Sequence, residues 1–241
     1  MPASDLRGAG SAGAPIRLLQ PAPVVTRLFG ELLRRGRATA ECGASAWPRT
    51  WIVGPGSDPE LAANIAREAV AGRDRILVLG WIGVHPDARA QALRVLWSLE
   101  ERCRATGLPT LAVRLGPLCG PSAPLWRALA GAAPAGRLAR KLVHPVCEAD
   151  VIEALDRALA GAAAWEAWYE VGGPDVLSLG ELAALARASH AAGGGAWEPD
   201  RAVLAEQRLI EPEIWARWAG ITPASVAAEA GRWAAPALAA S

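Results

Sequence analysis

Apolar positions in this chain fall into short unbroken runs that alternate with longer stretches spaced every three or four residues. Ile16 to Leu19 is a run of the first kind and predicts a buried strand. Val25, Leu28, Phe29, Leu32 and Leu33 then share one stripe of a helix from about Val24 to Arg35, which Arg34, Arg35 and Gly36 close with good C-terminal chemistry. Arg37 to Cys42 reads as a weak second strand and Thr50 to Val53 as a third. The turn from Gly54 to Glu60 opens a helix to about Ala71. Either Asp58 caps it, with Pro59 at the first helical position, or Ser57 and Glu60 form a capping box. Arg75 to Leu79 is apolar enough for a central parallel strand. A loop from Gly80 to Pro86 leads into a helix from Asp87 to Thr106, with Leu93, Leu96, Leu99 and Cys103 on one face and Gly107 ending it. Thr110 to Arg114 is the next strand. Helices over Ser122 to Ala130 and Ala149 to Ala160, a strand from Trp168 to Val171, and a helix capped by Ser178 and running through Ala188 follow. Gly193, Gly194 and Gly195 form a joint, and the chain from Ala196 is helical and tryptophan-rich. This alternation predicts an α/β, doubly wound parallel sheet of Rossmann-like type with a small, mostly helical C-terminal part. The expected organisation is a loose tail over 1–14, a sheet domain over 15–190 and a helical segment over 196–241 that packs on it.

The first strand–turn–helix is the most informative place. A dinucleotide-binding sheet carries a glycine-rich loop there, because glycine permits positive φ and lets a pyrophosphate approach the backbone closely. This chain has Gln20-Pro21-Ala22-Pro23-Val24-Val25-Thr26-Arg27 at that place, with no glycine. Proline holds φ near about −65° and has no N–H for a phosphate. The frame is present and the chemistry of the turn is different.

Composition narrows the rest. A formal charge of +1 provides no field to gather nucleic acid or a membrane surface. No apolar run approaches the about 20 residues that cross a bilayer, and Met1 to Ala14 lacks the apolar stretch of a signal peptide. Cys42, Cys103, Cys119 and Cys147 are widely spaced and make no metal-ligand pattern with His85, His144 and His190, so buried reduced thiols in a cytoplasmic protein are expected. Of 25 basic residues only Lys141 is lysine, and there is one tyrosine against 11 tryptophans, a bias that GC-rich codons produce without functional cause.

Arg75 to Val84 with its following long helix, then Gly107 to Pro117 with Gly120 and Pro121, resembles the core of the extended and atypical short-chain dehydrogenase/reductases, including the epimerase/dehydratase and NmrA-like groups. His144-Pro145-Val146-Cys147-Glu148-Ala149-Asp150-Val151 is similar to their V-x-D-V-A segment. Tyr169 to Pro174, with Leu179-Gly180-Glu181-Leu182, is similar to their Y-x-L-G-G-P … L-x-E-L segment. The resemblance spans about Ile16 to Arg187. It implies an NAD(P)-binding Rossmann fold and places Gln20, Pro23 and Thr26 at the three loop glycines, Gly80 and Trp81 at the active-site serine, and Ala92 and Leu96 at the catalytic tyrosine and lysine. The short stretch before Trp51 implies that a strand and helix of the adenine side are missing. Neither Ala92 nor Leu96 titrates, so neither can move a proton.

The expectation that follows is a degenerate, non-redox member: an accessory, regulatory or ligand-binding protein. No cofactor is expected, NAD(P) binding only if the altered loop still holds it. The partner is a small-molecule ligand or a protein, with no nucleic acid and no membrane insertion. A non-redox isomerase, cyclase or dehydratase of a small metabolite is the alternative, and an unorthodox NAD(P)-dependent oxidoreductase or epimerase a second one. His85, in the loop after the core strand, and His144 are the candidate general bases. Trp81 and Arg114 are the candidate substrate-binding residues, and no metal is expected. Each has a structural alternative: a satisfied or exposed histidine, a core tryptophan, an arginine that ties off a strand as Arg75 could. Gly54-Pro55-Gly56 reads first as a capped turn, Glu41 as a solvated turn residue, and Glu148 and Asp150 as acidic charges at a helix start. Trp197, Trp215, Trp218 and Trp233 either fill core or form a lid or partner face.

Overall fold

A computed structural model of the chain describes residues 14–18, 23–35, 38–39, 49–70, 72–161, 164–165, 167–189 and 194–234. Strands are β1 (Ala14–Leu18), β2 (Ala38–Thr39), β3 (Arg49–Val53), β4 (Asp74–Trp81), β5 (Thr110–Leu115), β6 (Leu118–Cys119), β7 (Leu142–Val143), β8 (Val146–Cys147), β9 (Trp168–Val171) and β10 (Leu177–Ser178). Helices are α1 (Pro23–Arg34), α2 (Leu61–Glu68), α3 (Gln91–Ala105), α4 (Pro124–Gly131), α5 (Gly136–Ala139), α6 (Glu148–Leu159), α7 (Leu179–Ala188), α8 (Arg201–Glu206), α9 (Pro212–Ala219) and α10 (Val226–Ala234).

Six strands form one parallel sheet in the order β2-β1-β3-β4-β5-β9. Ile16 lies beside Thr50, Val53 beside Val78, and Arg114 between Gly80 and Glu170. The chain leaves β1 one way to β2 and the other way from β3 through β5 to β9. Right-handed crossovers therefore send α1 to one face and α2 and α3 to the other. α2 packs on α3 accordingly, whereas α6, which precedes β9, packs on α1. Among the described residues no strand lies outside β2, as the short stretch before Trp51 implies. The core is built from β4, buried along its whole length, with Leu28, Phe29, Ile65, Leu93, Leu99 and Leu155 from the helices. A second, smaller core joins α4, α7 and α10 around Trp126, Leu182, Leu204 and Val226.

Several boundaries differ from the sequence expectation. β4 continues to Trp81, so Gly80 and Trp81 belong to the strand and not to the loop. α2 starts at Leu61 with no side-chain cap. The Ser57 hydroxyl accepts from the Gly54 N–H instead (3.2 Å), and Asp58 accepts from Glu60 N–H (2.9 Å), so both polar groups close the turn before the helix begins. α3 starts at Gln91, four residues after Asp87, for a reason that lies in the C-terminal segment. Ser178 does cap α7, with Glu181 completing the capping box. Ala14 opens β1, whereas 1–13, Leu19, Gln20, Pro21, Ala22, Glu41, Cys42, His190 and Gly193 lie outside the described residues.

Asp74 ties the start of β4 to β3. Its carboxylate, 3% exposed, accepts from Trp51 Nε1 (3.1 Å), Arg49 and the Val70 N–H (2.9 Å), while the Arg49 guanidinium lies over the Trp51 ring at 4.6 Å. Burial alone would raise the Asp74 pKa, but those donors outweigh it and hold the carboxyl below its ordinary value. A depressed folded-state pKa adds stability above the unfolded value, and that stability is lost as pH falls through the folded one. Asp74→Asn is expected to cost about 3 kcal/mol in urea unfolding at pH 7. The gap from wild type should narrow as pH falls through the lowered pKa of Asp74, below the ordinary carboxyl range, where both chains carry an uncharged side chain.

Candidate functional site

In an open parallel sheet the natural crevice lies beyond the carboxyl ends of the strands, where the winding reverses. Here that point is between β1 and β3, and Glu198, from the segment that follows Gly194, reaches the start of α1 beside it. α1 opens with Pro23, which offers no N–H. The next donor, Val24 N–H, is taken by Glu198 Oε1 at 2.9 Å. Glu198 Oε2 also accepts from Arg27 (3.2 Å), whose Nε is bonded to Glu148, and Glu148 accepts from the Ser122 hydroxyl (2.9 Å). Two carboxylates thus surround one guanidinium at the positive end of α1.

The start of α3 is treated the same way. Glu206 accepts from the N–H groups of Arg89 (2.8 Å) and Ala90, which postpones the helix beyond Asp87. Gln207, 1% exposed, donates from Nε2 to the Ile82 carbonyl (3.0 Å). Its Oε1 has no partner among the described residues. Trp215 donates to the Gly172 carbonyl (2.7 Å). Gly54 holds the β3 end close to α1, because a Cβ there would lie 2.6 Å from Val25 Cγ2.

The structure separates the four sequence-predicted residues into two pairs. His144 is buried, and its Nδ1 is 3.0 Å from the Gly173 carbonyl, so Nδ1 carries the proton and donates. Gly116 and Gly172 close around it: a Cβ at Gly172 would sit 2.6 Å from His144 Cβ. Trp81 is a core side chain. His85 is exposed on the loop after β4, with the Asp87 N–H donating to its Nδ1 (3.2 Å). His85 and Arg114 share the wall of a cleft of about 500 Å³ between α3 and β9, together with Trp97, Arg104, Trp168 and Arg208. Neither Trp81 nor His144 lines it. Arg114 forms a double hydrogen bond with Glu100 (3.0 and 2.7 Å), both groups being almost fully buried. Arg75 ties strand ends: it bonds Thr50 and the Leu159 carbonyl and stacks on Trp165, and burial lowers its pKa to about 10.

A larger cleft of about 670 Å³ lies between α1, the start of α6 and α10, lined among others by Arg27, Glu31, Cys119, Cys147, Asp150 and Trp233. Glu148 and Asp150 occupy the first turn of α6, as expected of acidic residues at a helix start. Burial raises the Asp150 pKa; the Ala224 N–H it accepts lowers it, and the neighbouring Glu229 raises it further. Of the C-terminal tryptophans, Trp215 is buried, Trp233 packs edge-on to Trp126 and also lines this cleft, Trp218 stacks on Tyr169 at 4.4 Å, and Trp197 lies under Arg201. Among the described residues no group of His, Cys, Asp and Glu forms a metal cage, and no helix is long and apolar enough to cross a membrane.

Comparisons with solved structures decide the fold. MoeE5, solved in complex with UDP-glucose and NAD, is similar over 92% of this chain and 98% of its own, with a TM-score of 0.57 at 15% identity. WbmF of Bordetella bronchiseptica, in complex with NAD+, matches over 92% of each chain, with a TM-score of 0.58 at 12% identity. The UDP-glucose 4-epimerase of Thermotoga maritima, with UDP-glucose, covers 91% of this chain and 97% of its own, with a TM-score of 0.61 at 10% identity. The chain has a short-chain dehydrogenase/reductase fold. No protein-family model matches it, and no curated protein sequence matches it. Of the residues that the sequence resemblance places at the second and third loop glycines, Pro23 is the first residue of α1 and Thr26 is exposed. Ala92 and Leu96, which the resemblance places at the catalytic tyrosine and lysine, sit in the first two turns of α3, Ala92 exposed and Leu96 buried. The described residues at the corner do not fit a dinucleotide diphosphate, since Pro23 lacks a donor and Val24 has already spent its own on Glu198.

Glu198, Glu206, Arg208, Trp97 and Trp168 carry these sites and belong to none of the motifs that organise the sequence reading. Glu198 lies 174 residues from Val24, and no local pattern connects them. The three described cysteines, Cys103, Cys119 and Cys147, are free and buried, as expected. Burial pushes the Cys103 and Cys147 thiols up to about 12, and that of Cys119 upward as well. With a pKa of about 12, the thiolate fraction at pH 8 is of order 10⁻⁴. Peptide mapping after native labelling with a disulfide reagent at pH 8 should therefore find these three unmodified, and labelling in denaturant should modify all three.

Proposed function

We propose that this chain is a cytoplasmic, non-redox protein on a short-chain dehydrogenase/reductase frame, acting as an accessory, regulatory or ligand-binding protein. Its ligand is a small molecule or a protein and not a dinucleotide, a nucleic acid or a membrane. One observation carries this reading: the Glu198 carboxylate sits on the first free N–H of α1, where a diphosphate would have to bind. A diphosphate brings about two negative charges to a corner already holding Glu198 and Glu148 around a single Arg27. The residues matched to the loop glycines and to the serine, tyrosine and lysine point the same way, because none of Gly80, Trp81, Ala92 or Leu96 can transfer a proton.

A second reading keeps catalysis. His85 and Arg114 face one cleft, and an exposed imidazole beside guanidinium groups suits a non-redox isomerase, cyclase or dehydratase. In it His85 is the general base and Arg114 a substrate-binding residue. His144, whose Nδ1 is committed to Gly173, would contribute only through Nε2.

Calorimetric titration with NADH and with NADPH is expected to give no binding tighter than about 1 mM; micromolar affinity for either would overturn the reading. Glu198→Ala is expected to lower stability by about 1–2 kcal/mol, since it removes the acceptor from Val24 N–H and one of the two partners of Arg27. It should not create nucleotide affinity, because Pro23 still lacks a donor. Chemical denaturation and the same titration check both outcomes.

A further inference from the structure

Of the clefts described, the one whose chemistry is most one-sided lies between α3 and β9. Three guanidiniums, an imidazole and two indoles line it, with Val84, and no carboxylate does. The balancing acids stand behind the wall. Glu100, 1% exposed, receives Arg114 from below and Arg104 (3.0 Å) from the side. Glu170 takes Nε and Nη2 of Arg208 on a single oxygen (3.0 and 2.7 Å), which leaves the rest of that half-exposed guanidinium at the mouth. Arg104 also reaches the exposed Glu101, whose charge is screened by water.

The aromatic part is equally directed. The Arg114 guanidinium lies 4.5 Å from the Trp168 ring centre and 5.9 Å from that of Trp97, so a buried cation links the two indoles across the floor. Trp168 nevertheless stays 47% exposed on the edge strand β9, an apolar surface that water solvates poorly. A planar ring laid on that indole would remove this surface from water, and an anionic substituent would reach the free edge of Arg208. The volume of about 500 Å³ suits a molecule of one or two fused rings. The larger cleft beside α1 offers no comparable direction, since Arg27 is neutralised by Glu148 and Glu198, and Arg34 and Arg35 share Glu31.

We propose that the cleft between α3 and β9 binds a planar aromatic carboxylate, its ring on Trp168 and its carboxylate on Arg208. This rests on the reading above that a small molecule is the ligand, and it names that ligand's class. Naphthalene-2-carboxylate is the probe, titrated calorimetrically into the full chain beside naphthalene-2-carboxamide, cyclohexanecarboxylate and inorganic phosphate. The expected result is 1:1 binding of the naphthoate alone, weakened by at least about tenfold in Arg208→Gln and in Trp168→Leu, each with an unchanged melting temperature. If one variant fails to fold, the other decides. No naphthoate binding, equal binding of the carboxamide or of phosphate, or binding untouched by the substitutions overturns the assignment. A parallel NADH titration keeps the two readings apart: nucleotide binding would sink the non-redox reading, and absence of both ligands would sink only this one.

Discussion

A helix start exposes N–H groups that need acceptors, and in this chain its own carboxylates supply them at the two places where the fold would otherwise offer them to a ligand. Glu198 takes the start of α1 and Glu206 the start of α3. Much else follows from getting those two side chains to the crest. The chain must pass close beside α4 at Gly195, where a Cβ would lie 2.9 Å from Arg127 Cβ. It then buries Val203 and Trp215 in the main core and Leu204 and Val226 in the smaller one, so the segment that carries these two carboxylates also joins the two cores.

The buried Arg114–Glu100 pair does a complementary job on the opposite face. It locks β5 to α3 and places a cation under two indoles without exposing its own carboxylate partner. Such a pair contributes little net stability, because desolvation offsets most of the attraction. Its consequence is positional: the flank of the sheet at β9 acquires a positive, aromatic wall, while the crest is closed by acids.

Much of the architecture was legible from local pattern. Ile76 to Leu79 is apolar throughout because a central parallel strand is covered on both faces, and the same reasoning located β1, β3 and β5. Ser178 was legible as a cap because its acceptor sits three residues before the N–H it serves; Glu181 then completes a capping box in the structure. Ser57 misled for the opposite reason. Its hydroxyl had two nearby N–H groups to choose from, and closure of the loop onto Gly54 selected the one outside the helix. Of the candidate site, His85 was singled out by its loop after a core strand and Arg114 by its place at a strand end, whereas Trp168 and Arg208 carried no motif to mark them.

By itself the amino-acid sequence determined the order of the main strands and helices, the parallel sheet and a first β–α turn without glycine. All of these depend on periodicity and backbone preference within a few residues. Only the tertiary structure decided which carboxylate meets which helix start, which histidine is buried, and that Arg114 is paired from behind and stacked from the front. The two helix-start pairings join residues far apart in the chain. Their partners are interchangeable at the level of sequence, since any Glu can accept from any N–H, and it is where the C-terminal segment runs that chooses among them.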